Sequence, residues 1–211
     1  DLTLDLVRVP SPTGDSLAIT ECYVRHVQAM GLSVEVVRDY PGGPSTIARY
    51  GGANGGPTLT LDGHLDTIHA PHVPPYVADG RIYGRGSGDM KSGVAAMLEA
   101  TRIIVENDVA LQGNLILATH TLHEAPVGHM EGLKALIARG DVFVDAALVA
   151  EGGFDALAVR GEGGKVMEIL GRAGSPPVTD RSLGFREAIW HSQNIRIVGT
   201  ITCDGPLSTV S

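Results

Sequence analysis

His64 and Asp66 are the first residues whose types and spacing point to chemistry. They lie in Leu61-Asp62-Gly63-His64-Leu65-Asp66-Thr67, after an alternating apolar run over 57–61, and so read as a polar turn at the end of a buried strand. In extended backbone, residues two apart point to the same side, so one imidazole and one carboxylate converge there. A metal-binding histidine usually gives its second ring N–H to a carboxylate, which fixes the tautomer and raises its basicity as a ligand. His-x-Asp offers a ligand and its support within three residues. The same triplet also occurs at ordinary strand ends, where the two side chains satisfy each other or solvent.

Three more ligand types follow in order. A glycine-dense loop over 84–93 sets Asp89 just before a helix-patterned stretch, His123-Glu124 follows the strand-like run 114–118, and Glu151 follows another at 146–150. Strand ends and loops thus each deliver a ligand-type side chain. In an open parallel α/β sheet, the carboxyl ends of the strands are where sites are built. One nitrogen and three carboxylates suit zinc, with cobalt or manganese as substitutes. Carboxylates also bridge cations, and two ions ~3.5–4 Å apart lower the pKa of a water between them toward ~7.

The chain resembles the N-terminal part of the M20 family of metallopeptidases and deacylases, the group of acetylornithine deacetylase, succinyl-diaminopimelate desuccinylase, aminoacylase-1 and the carboxypeptidase G type. The residues that carry the resemblance are Val9-Pro10-Ser11-Pro12-Thr13-Gly14, Gly63-His64-Leu65-Asp66-Thr67, Ile82-Tyr83-Gly84-Arg85-Gly86-Ser87, Asp89-Met90-Lys91, His123-Glu124 and Glu151. The resemblance implies a di-zinc hydrolase of a peptide or N-acyl-amino-acid amide. It implies an α/β fold, a three-layer αβα catalytic domain with a largely parallel mixed sheet. Residues 1–160 would be the first catalytic segment and 161–211 part of a smaller α+β lid or dimerisation domain, with the second catalytic segment absent. A homodimer is expected of the full-length protein. Asp89 would bridge the ions, His64 and Glu151 would bind one each, Glu124 would complete a shell, and Asp66 would orient His64.

Two departures qualify this pattern. Where the family has a Glu-Glu pair, general base then ligand, this chain has His123-Glu124. Sliding the register by one would make Ala125 a ligand, which is impossible, so Glu124 stays the ligand and His123 falls in the base position. A neutral imidazole with pKa near ~6.5 can accept a proton at neutral pH. The family's last metal histidine comes from the second catalytic segment, and the only histidine after Glu151 is His191. His191 reads as a lid or surface residue, His120 as a strand residue and His129 as a helix-start residue. Two other readings stay open: a non-catalytic or weakly active homologue that binds metal or an acyl-amino acid, and a plain flavodoxin-like binding domain.

The elements that must position these groups follow from periodicity. Helices are expected over 2–9, 16–30, 94–106 and 131–138, and strands over 33–38, 45–50, 57–61, 114–118 and 146–150, with 68–80 too irregular for an element. Met97, Ala100, Ile103 and Ile104 should face the core from the third helix. Beyond Gly161, a strand is expected over 165–170 and a helix over 182–191. Strand alternating with helix is the pattern of a largely parallel, doubly covered sheet.

Composition narrows the class. With 43% hydrophobic and 19% charged residues among 211, the chain is globular. The net charge of −8 argues against nucleic acid or an anionic membrane as partner. Cys22 and Cys203 form neither a disulfide framework nor a Cys-x-x-Cys site, so a cytoplasmic setting is the default. Gly84-x-Gly86-x-Gly88 lacks both the Rossmann spacing and the Walker ending, which removes nucleotide binding. Arg85 and Lys91 read as structural or solvated, and Asp62 reads equally as a turn cap or as something else.

Overall fold

The computed structural model describes residues 1–38, 43–52, 55–140, 142 and 144–150, together with the backbone of three later strands. In chain order the elements are α1 (Leu2–Arg8), α2 (Leu17–Ala29), β1 (Val34–Val37), β2 (Ser45–Gly51), β3 (Thr58–His64), β4 (Tyr76–Ala78), β5 (Arg81–Tyr83), α3 (Lys91–Glu106), β6 (Asn114–His120), α4 (Glu131–Arg139), β7 (Ala146–Val149), β8 (Ala156–Gly161), β9 (Lys165–Leu170) and β10 (Arg196–Thr202).

Eight strands form one mixed sheet in the order β1-β2-β6-β3-β7-β8-β9-β10. Its centre, β6-β3-β7, is parallel, while β1, β2 and β8 pair antiparallel with their neighbours. The alternation of β6 shows how the layers form. Leu115 and Leu117 join Leu6, Ile19, Tyr23, Leu61, Val94 and Leu98 on the face covered by α1, α2 and α3. Ile116 and Ala118 join Val37, Ile47 and Leu136 on the opposite face, beneath α4. Successive residues of one strand thus feed two cores, which gives the expected three-layer αβα arrangement.

Local chemistry fixes the ends. Asp1 accepts a hydrogen bond from the Leu4 amide and caps α1, and Gly31, at φ +81°, stops α2. Lys91 is buried, and its ammonium donates to the carbonyls of Leu6 (3.1 Å) and Val9 (2.8 Å) at the C-terminal end of α1. Burial pushes that ammonium down to about 8. Lys91 is therefore structural, as its sequence context suggested.

Three expectations need correction. Residues 68–80 are not wholly irregular, because Tyr76–Ala78 pairs with Arg81–Tyr83 across a turn at Asp79-Gly80. The buried face of α3 is Val94, Met97, Leu98 and Thr101, whereas Ile103 is 51% exposed. The four-residue spacing from Val94 through Leu98 selects that stripe and turns Ala100 and Ile103 outward. Finally, β3 runs on through His64, so Asp62 lies within a strand rather than capping a turn. The expected helix over 182–191, Cys203 and His191 lie outside the described residues.

Candidate metal centre

His64 is the last residue of β3, and its register partner on parallel β6 is His120, also the last of its strand. Gly63 lets the strand end pass under α3: a Cβ there would lie 2.8 Å from Met90 Cε and 3.0 Å from Val94 Cγ2. Gly93 does the same at the start of α3, where a Cβ would meet the Ala150 carbonyl oxygen at 2.0 Å. Small residues at two close approaches bring the Asp89 loop against the ends of β3 and β7.

The turn after β3 is held by the Val9–Gly14 motif. Ser11 Oγ donates to the Leu65 carbonyl (2.9 Å), the Thr67 amide to the Ser11 carbonyl (2.8 Å), and the Thr13 amide to the Thr67 carbonyl (3.0 Å). Pro12 and Thr67 form an isolated parallel bridge. Thr13 Oγ1 then reaches Asp66 Oδ2 at 2.7 Å.

Asp66 gathers the opposite side of the site as well. Its Oδ2 accepts from the amides of His123 (2.9 Å) and Glu124 (3.1 Å). Those two amides point the same way because Leu122 adopts φ +57°, a left-handed conformation uncommon for a bulky residue and met at strained functional turns. Asp66 is fully buried. Burial alone would raise its carboxyl pKa, but the neighbouring His64 imidazole, with hydrogen bonds from the Glu124 amide and Thr13, overrides this and holds it down at about 2.

Asp66 supports His64 mainly through its backbone. His64 Nδ1 lies 2.8 Å from the Asp66 carbonyl oxygen and 3.7 Å from its carboxylate Oδ1. The carbonyl can only accept, so Nδ1 donates to it. Nε2 points at Asp89 Oδ1, 3.0 Å away. Ligand atoms of His64, Asp89 and Glu124 all lie within 4.8 Å of one another. One buried imidazole nitrogen with its partner nitrogen already committed, plus two carboxylates, is a donor set that fits a divalent ion. Glu151 lies outside the described residues, as does the family's further ligand histidine.

His123 stacks on His64, with ring centroids 4.1 Å apart and planes within 1°. Burial, with the neighbouring rings of His64 and His120, pushes its imidazole down to about 4. His120 and Asp62, which sequence reasoning set aside, belong to this cluster. Asp62 Oδ1 is 3.2 Å from His120 Nδ1, and His120 Nε2 is 3.2 Å from His123 Nδ1. The signals that could have revealed them were the alternation of Asp62 with His64 and the His120-x-x-His123 spacing across a strand end. His129 is exposed and lies away from the cluster, with its amide donating to Glu131.

A cleft of about 500 Å³ opens beside the ligands, lined by Ile68, Pro74, Tyr76, Tyr83, Asp89 and Glu124 among others. Tyr76 and Tyr83 stack across the β4–β5 hairpin at 4.9 Å. Arg85 also lines it, with its Nε buried and lacking a hydrogen-bond partner. Among the described residues no helix is long and apolar enough to cross a membrane.

Known proteins resemble this chain in sequence and in fold. The model of peptidase family M20/M25/M40 matches residues 60–194, more than half of the chain. A succinyl-diaminopimelate desuccinylase of Methylobacillus flagellatus is 30% identical over 161 residues, covering 72% of this chain and 42% of that protein. A second, from Methylobacterium radiotolerans, is 37% identical over 112 residues, 47% of this chain and 28% of its own length. The chain spans less than half the length of these relatives. Among solved structures, a tripeptidase of Staphylococcus aureus is 25% identical with a TM-score of 0.58, covering 74% of this chain and 43% of that one. A Saccharomyces cerevisiae dipeptidase shares the fold alone, at 13% identity and a TM-score of 0.59, covering 73% of this chain and 38% of that one.

Proposed function

The chain belongs to peptidase family M20/M25/M40, and on that premise we propose that it builds the first part of the active site of a metal-dependent hydrolase that cleaves a peptide or N-acyl-amino-acid amide. The observation that carries this reading is the convergence of His64, Asp89 and Glu124 beside an open cleft. We assign the metal as zinc, two ions per site, with cobalt or manganese as substitutes. His64, Asp89, Glu124 and Glu151 would hold the metal. Bound there, the ions would polarise the amide carbonyl and make water a nucleophile near neutral pH.

The chain's own residues do the rest. His64 presents Nε2 because the Asp66 carbonyl holds the proton on Nδ1. Asp66 fixes the His123-Glu124 turn through its two amide contacts, so ligand and base are set by one carboxylate. His123 takes the proton of the attacking water. Its depressed pKa keeps it neutral at pH 7, although a weaker base than an ordinary histidine. The apolar cleft receives the side chain or acyl group of a small substrate. The full-length protein is expected to be a cytoplasmic homodimer acting on peptides or N-acyl amino acids, not on nucleic acid or membranes.

That weak base also supports a second reading, a homologue that binds metal or an acyl-amino acid but turns over slowly or not at all. Amine release from N-succinyl- and N-acetyl-amino acids and dipeptides, followed in the zinc-loaded full-length protein, tests both. Hydrolysis that is lost with a chelator and in His64→Ala supports the hydrolase. A large gain in His123→Glu supports the weakened homologue, and loss of activity in that variant makes His123 the working base. No hydrolysis of any amide, in either protein, contradicts the proposal.

A further inference from the structure

We propose that Asp62 and His120 form a buried hydrogen-bonded relay that fixes His123 in a single tautomer, with the proton on Nδ1 and the lone pair on Nε2. The relay is a matter of hydrogen-bond direction in this chain. Its catalytic use rests on the reading of His123 as base given above.

The direction follows from the buried end. Asp62 is 6% and His120 2% exposed, so their polar atoms must find partners within the protein. A carboxylate only accepts, and Asp62 Oδ1 faces His120 Nδ1 at 3.2 Å, so His120 carries its proton on Nδ1. In a neutral imidazole the other nitrogen is then an acceptor. His120 Nε2 faces His123 Nδ1 at 3.2 Å, so His123 must donate from Nδ1. One carboxylate at the end of the row thereby decides the tautomer of a ring it does not touch.

Orientation is fixed independently. The His123 ring lies flat on His64, and the rings of His120 and His123 are 5.4 Å apart at 47°. His64 likewise donates from Nδ1, to the Asp66 carbonyl. Parallel β3 and β6 make this arrangement, since their register sets His64 beside His120. Asp62 and His120 are positioning residues, acting only through His123.

The test is the tautomer itself, read from long-range proton–nitrogen correlations of ¹⁵N-histidine-labelled, metal-free chain at about pH 8, above the ordinary histidine pKa of ~6.5. Cross-peaks are assigned by His120→Gln and His123→Gln. Wild type should show His120 and His123 both protonated on Nδ1. Replacing His120 by Leu, or Asp62 by Asn, should return His123 to a mixture of tautomers. His120→Gln, whose side-chain carbonyl can still accept from His123, should restore the Nδ1–H form even where the leucine variant is poorly folded. A His123 tautomer unchanged in folded His120→Leu and Asp62→Asn overturns the relay, as does protonation on Nε2 in wild type. In the full-length enzyme, His120→Leu should lower kcat about tenfold or more with KM little changed, and His120→Gln should recover part of it. A shifted tautomer with unchanged kcat sustains the relay and removes His123 from the base position instead.

Discussion

The floor and the mouth of the site are built on opposite principles. On the floor, His64 and Asp66 are fully buried, and Asp62 and His120 nearly so. These polar side chains are tied into one network through Thr13, the Asp66 carbonyl and the two amides after Leu122. At the mouth, Val73 is 64% and Tyr76 57% exposed, Val73 on the connection after β3 and Tyr76 on a two-stranded hairpin outside the main sheet. Buried polar groups cost stability unless paired, so the floor must be assembled before any ligand arrives. The mouth gives up little by being open, and it offers apolar surface to whatever enters. The difference teaches that polar geometry is stored in the sheet ends, while exposed apolar surface is left to the connection between β3 and α3.

This contrast can be broken at the floor first. Asp66→Ala removes the acceptor of one hydroxyl and two amides, and it should destabilise the chain by about 3 kcal/mol in urea unfolding. A loss no larger than that of a surface change would mean the network does not hold the floor. The same carboxylate sets an acid limb. Its pKa is about 2 in the folded chain against 3.8 ordinarily, so between those values the unfolded state binds the extra proton. Stability should therefore fall by about 2 kcal/mol as pH drops from 4 to 2, and Asp66→Asn should flatten that limb. Gly63→Val places a side chain against Met90 and Val94 and should cost roughly 1–3 kcal/mol by overpacking, seen as a lower urea midpoint. At the mouth the expectation reverses. Tyr76→Ala should shift stability by less than about 0.5 kcal/mol while raising KM for apolar substrates in the full-length enzyme. A large stability loss there would erase the distinction between floor and mouth.

Much of the floor was legible in the sequence because the apolar runs of β3 and β6 are each followed by ligand-type residues. His64, Asp89 and Glu124 converge as their positions imply. The relay was not legible. Whether Asp62 meets His120 depends on the register between β3 and β6, two strands separated by α3, and sequence carries no mark of that register. Asp66 lies against His64, but its main contact to that ring is made by its carbonyl, which no side-chain pattern reports. The β4–β5 hairpin escaped notice because a proline-rich, exposed run has no buried face to impose a period of two. The inward stripe of α3 was misplaced for a related reason. Ile103 is apolar yet points outward, and only the packing of Val94, Leu98 and Thr101 against α1 and β3 decides the helix's rotation.

The two-metal centre is tested most directly by the zinc bound per folded chain after dialysis against micromolar zinc, with His64→Ala measured beside it. The reading predicts about two ions, falling clearly in the variant. One ion would contradict the paired centre and leave a single-metal site. No bound zinc in a chain that remains folded would contradict the metal centre altogether.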